Sequence, residues 1–148
     1  MSLPHAHISL VTLGVSDVPR AARFYETLGF TRKVRGAPDS EVALFAAGTA
    51  ALSLYVMSGL ARDAGFPDDM KPTGFRGASL AWNCESREDV DAVMALALKA
   101  GGTMLVPAKE ASWGGYHGHF ADPDGNIWEI AYNPQFPLSS NGTPSLPD

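Results

Sequence analysis

Residues 7–15 (HISLVTLGV) are apolar and β-branched over the length of a strand. Ser16-Asp17-Val18-Pro19 follows and opens a helix: Ser or Asp can cap it, and Pro19 is tolerated in the first turn. Ala21, Ala22, Phe24, Tyr25 and Leu28 give that helix its packing stripe, and Gly29 ends it. Strand-like segments come next near 31–35, 41–46 and 51–57. The second half then writes the same order again. Residues 77–84 (GASLAWNC) read as a strand, and Ser86-Arg87-Glu88-Asp89 resembles a capping box. Val90, Val93, Met94, Leu96 and Ala97 recur at helical spacing up to Gly101-Gly102, and strands are predicted near 103–106, 113–121 and 126–132.

Two copies of strand–helix–three strands predict an α+β fold built from tandem βαβββ modules. Each copy alone leaves a sheet face and a helix stripe uncovered, so the copies belong to one structure. The expected organisation is a single domain over 5–134, with module one at 5–57, a linker at 58–74 and module two at 75–134. Leu60, Phe66 and Met70 give the linker something to dock with, and a surface loop is the expectation for it. The tail, 135–148, is rich in Pro, Ser and Gly and is expected to be extended or disordered.

Composition narrows the function classes. The chain of 148 residues is 45% hydrophobic and only 18% charged, which suits one substantial core. A formal charge of -5 argues against nucleic acid or an anionic membrane as partner. No apolar run has the length of a membrane span, and the single cysteine, Cys84, excludes an internal disulfide framework. A cytoplasmic protein is the expectation.

The chemistry concentrates in residues 113–134, WGGYHGHFADPDGNIWEIAYNP. This stretch reads as two strands joined by an Asp-Pro-Asp-Gly turn, with one carboxylate, Glu129, among apolar neighbours. Such a carboxylate needs a partner if it is buried, and it is the candidate catalytic or ligand-anchoring group. If 122–125 closes an ordinary hairpin, Gly118 lies opposite Glu129. Tyr116 and Phe120 then share the Glu129 face as ligand-contacting aromatics, and His117 and His119 point away from it. A bulge at Gly114-Gly115 or Gly118 would reverse that count. Trp128 is expected under a helix, the glycines at bulges or close packing, and Cys84 as a buried spectator thiol.

The opening LGVSDVPRAARFYETLGF and the close DPDGNIWEI together resemble the vicinal oxygen chelate superfamily, which includes glyoxalase I, bleomycin-resistance proteins and extradiol dioxygenases. The resemblance spans residues 7–134 and implies paired modules curled into a cup-shaped sheet with helices outside. It also implies a homodimer whose cup forms within one chain or between swapped modules. In the metal-dependent members four strand positions supply ligands. Carried over, they fall on Leu10, Ser53, Ser79 and Glu129, of which only Glu129 is a ligand-type residue. No metal or other cofactor is therefore expected. The resemblance then implies metal-independent binding of an unidentified small molecule in an aromatic-lined cup, with Leu10, Ser53, Ser79, Tyr116, Phe120 and Glu129 around it. The alternative is a metal-dependent lyase, isomerase or dioxygenase acting on a vicinal-oxygen substrate. A weaker third possibility is a degenerate cup serving only as an interaction module.

Overall fold

Asp17 is extended, and its carboxylate accepts the Arg20 backbone N–H at 3.0 Å. That cap, with Pro19 in the first turn, starts α1 (Val18–Thr27) directly after β1 (Leu10–Val15). The computed structural model describes residues 2–34 and 41–148. It continues with β2 (Arg32–Lys33), β3 (Val42–Ala47), β4 (Ala50–Val56) and α2 (Met57–Asp63). β5 (Leu80–Cys84) then leads to Ser86, whose hydroxyl accepts the Asp89 N–H and starts α3 (Arg87–Ala100). Gly101 closes α3 at φ 115°, a conformation that glycine adopts without steric cost. The chain returns through β6 (Thr103–Glu110), β7 (Tyr116–Ala121) and β8 (Ile127–Tyr132).

Each half forms a four-stranded mixed sheet, ordered β1-β4-β3-β2 and β5-β8-β7-β6. In both, the first strand pairs parallel with the last and the other pairs are antiparallel. The duplicated sequence pattern is thus a duplicated βαβββ structure, and the fold is α+β. Helix α1 packs on β3 and β4, helix α3 on β6, β7 and β8, and the two helices touch. The shared core lies on this side, where Tyr25 meets Phe45 and Trp128, and Phe30 meets Trp82 and Trp128.

Three expectations change. The linker begins as a helix, α2, seated where Gly14 leaves room: a Cβ there would come within 2.7 Å of the Met57 sulfur. The tail is folded back on itself, with Leu138 bridged to Pro144 and Asn141 Oδ1 accepting the Thr143 N–H and hydroxyl. β6 runs to Glu110, well past the expected 106. Arg35, at the end of the expected 31–35 strand, lies outside the described residues.

Candidate metal centre

The connection between β7 and β8 sets every side chain of the site. Asp122 Oδ1 accepts the backbone N–H of Asp124 at 2.9 Å and of Asn126 at 2.8 Å. Its Oδ2 accepts the Asn126 side-chain amide at 2.9 Å and the Tyr25 hydroxyl at 2.7 Å. Gly125 leaves the turn at φ 86°, and Asp122 N–H donates to the Asn126 carbonyl at 2.9 Å. Asn126 therefore belongs to the loop, which spans 122–126 between the paired residues Ala121 and Ile127.

That one extra residue moves the register, and His119, not Gly118, lies opposite Glu129. Side chains alternate along a strand, so the step turns the whole of β7 over relative to the expectation. His117 and His119 share the Glu129 face. Tyr116 and Phe120, expected there, are on the other side. Phe120 is fully buried and stacked on Trp128 at an interplanar angle of 6°, and Tyr116 donates to Asp91 of α3 at 2.7 Å. Trp128 lies in the helix-side core as expected, its indole N–H donating to the Tyr25 hydroxyl at 3.0 Å.

His117 Nδ1 is 2.7 Å and His119 Nε2 3.8 Å from Glu129 Oε2. One potential ligand atom from each residue lies within 4.8 Å of the others, and all three side chains are between one fifth and one third exposed. Ala81 lies opposite Glu129 on the neighbouring strand and adds no bulk over it. The Trp113 ring stands edge-on to His117 at 5.3 Å. Gly115 makes that placement possible, because a Cβ there would come within 1.8 Å of the Trp113 ring. A groove of about 420 Å³ begins at His119 and passes Ser79, Val106 and Phe75.

Two imidazoles and a carboxylate on one face are a donor set suited to a divalent transition metal, with positions left open for a ligand. The spacing fits a common ion. His119 Nε2 faces Glu129, and its Nδ1 is buried without a hydrogen-bond partner among the described residues. His117, His119 and Glu129 thus form a possible metal-binding triad, against the expectation that no metal is held. The signal was the His-x-His alternation before the turn; the loop length concealed its meaning.

The other positions carried over from the resemblance do not join the triad. Leu10 and Ser53 belong to the first sheet, where Leu10 is half exposed and Ser53, buried, lies opposite Thr12 and Leu44. Ser79 directly precedes β5 and borders the His119 groove. A larger cleft of about 590 Å³ contains no triad member; Phe30, Trp82 and Trp128 form its aromatic wall at the junction of the modules. Burial pushes the Cys84 thiol up to about 11, which keeps it protonated and inert near neutral pH.

The model of the Glyoxalase/Bleomycin resistance protein/Dioxygenase superfamily matches residues 6–130. The chain belongs to this superfamily. Among solved members, a glyoxalase-related enzyme from Fulvimarina pelagi is 32% identical, with a TM-score of 0.83 over 95% of this chain and 97% of that one. A superfamily enzyme from Burkholderia phytofirmans PsJN shares the fold at 19% identity, with a TM-score of 0.76 over 86% and 98% of the two chains. Lactoylglutathione lyase from Agrobacterium tumefaciens does so at 19% identity, with a TM-score of 0.64 over 88% and 96%. No curated protein matches the chain. No helix among the described residues is long and apolar enough to cross a membrane.

Proposed function

We propose that the protein is a metal-dependent superfamily enzyme in which His117, His119 and Glu129 hold a divalent transition metal beside a small oxygen-bearing substrate. The observation that carries this reading is the convergence of the three donors on one sheet face. A bound divalent ion supplies Lewis-acid polarisation of substrate oxygens. His117, His119 and Glu129 would hold that ion, and the half-open face admits substrate along the His119 groove. Trp113 shields His117 on one side. The glyoxalase-related description of the 32% identical neighbour is in keeping with such chemistry.

Cobalt(II) titration of protein freed of any affinity tag tests the reading. One equivalent is expected per chain, with affinity falling by about tenfold or more in His119→Ala and Glu129→Ala, since each removes a direct ligand. Equal uptake by wild type and both variants would overturn it. A homodimer belongs to the same reading, since Leu105 on β6 and Phe75 in the segment before β5 expose apolar side chains near the triad. Metal-independent binding remains the second reading, supported by the aromatic wall of the 590 Å³ cleft. It expects ligand-induced stabilisation that is insensitive to chelator.

A further inference from the structure

Lys109 and Glu110 are consecutive on β6 and project to opposite faces. Glu110 is bonded to Arg87 of α3 at 2.8 Å and lies opposite Tyr116, which itself reaches α3. Glu110 therefore marks the helix face. Lys109 is on the triad face, directly opposite His117.

A local irregularity puts it there. Val106 lies opposite His119, so an unbroken ladder would set Ala108 against His117. The register shift between Val106 and Lys109 inserts one residue, and Lys109 takes that place. Ala108 is displaced toward Gly118, where an added Cβ would lie 2.9 Å from the Ala108 nitrogen. Bulges commonly re-aim a side chain beside a site in this way. Directly opposed residues have Cβ atoms about 5 Å apart, so the lysine stem is long enough to bring its ammonium to the edge of the triad. Lys109 has no salt bridge or side-chain hydrogen bond among the described residues, and it is the only Lys or Arg on β5, β6, β7 and β8.

The charge balance then specifies the ligand. A divalent ion held by two neutral imidazoles and one carboxylate keeps a net positive charge, and Lys109 adds another beside it. An anion is favoured, and a neutral chelator is not. A lone ammonium meets an oxygen as a point charge, and β5, β6, β7 and β8 carry no arginine fork for the bidentate grip that a bulkier phosphate commonly receives. Resting on the metal reading above, we infer that the site takes a small carboxylate with an adjacent oxygen, a 2-hydroxy- or 2-oxocarboxylate, and that Lys109 binds its carboxylate.

Calorimetric titration of the cobalt-loaded protein with glycolate, and with its neutral analogue glycolamide, tests this. Wild type should prefer glycolate. Lys109→Met should weaken glycolate by about tenfold, as expected for loss of a charge-assisted hydrogen bond, and leave glycolamide affinity unchanged, with cobalt still taken up at one equivalent. Lys109→Arg, which keeps the charge, should retain most of the glycolate affinity. A cobalt-loaded wild type that ignores glycolate, or a Lys109→Met variant that binds it as wild type does, overturns the carboxylate assignment and leaves the metal centre standing. Failure of wild type to take up cobalt removes the metal reading itself, and this inference with it.

Discussion

Tyr25 ties the two modules together through a single hydroxyl. It comes from α1, donates to Asp122 in the β7–β8 loop at 2.7 Å and accepts the Trp128 indole N–H at 3.0 Å, all within the core. Burial, and then the neighbouring Asp122 charge, raises the phenol far above its usual pKa, so it stays a donor across the working pH range. In Tyr25→Phe the rings still pack, but the Trp128 N–H is orphaned and Asp122 keeps three donors instead of four. Leaving a buried donor unpaired costs about 1–3 kcal/mol, which urea unfolding should report as a lowered midpoint at unchanged slope. An unchanged midpoint would mean that the hydroxyl adds nothing net to stability. The same hydroxyl also positions the loop that sets the histidine register, so stability and site geometry share one contact.

At the level of elements, much was legible because its signals are local. Asp17 and Ser86 cap their helices as their residue types suggest, Gly101 ends α3, and the repeated order of elements appears as two sheets of identical topology. The candidate site was legible only in part. Glu129 stood out, and the two histidines were visibly on one face, but which face depended on whether Asn126 is loop or strand. That is decided by Asp122, whose carboxylate gathers Asn126 through both backbone and side chain, a contact that hydrophobic pattern does not register. The bulge that delivers Lys109 was hidden for a similar reason, since it depends on Gly118 admitting the Ala108 backbone. In Gly118→Ala the new methyl would lie 2.9 Å from the Ala108 nitrogen and 3.0 Å from the Met94 side chain. Backbone cannot yield cheaply, so the expected loss is about 1–3 kcal/mol. Because Gly118 separates the two histidines, cobalt affinity should fall as well. A stability loss with intact cobalt binding would show that the strand absorbs the strain without moving its ligands.

Across the whole molecule, the modules meet on the helix side and leave their opposite faces open. The β7–β8 loop secures the join: Asp124 Oδ1 accepts the Ser16 N–H at 2.9 Å and hydroxyl at 2.8 Å and pairs with Arg20, while Arg76, from the segment just before β5, braces the loop by donating to Asn126 at 2.7 Å. The cost of this arrangement is apolar surface around the triad. Leu105 is 45% exposed on β6, which is the edge strand of its sheet, and nearby Phe75 is 79% exposed. Exposed apolar groups clustered beside a groove, together with an uncovered sheet edge, are features that association conceals. The expectation is therefore a homodimer whose second copy covers this face, and light scattering on the eluted protein should give about twice the 15.7 kDa chain mass. Leu105→Lys places a charge on the edge without touching the buried core, so it should shift the population toward monomer while unfolding remains cooperative. A wild-type monomer would leave the triad open to solvent in the working protein. A dimer indifferent to Leu105→Lys would place the contact on another surface, with the first sheet and its half-exposed Leu10 the next to be tested.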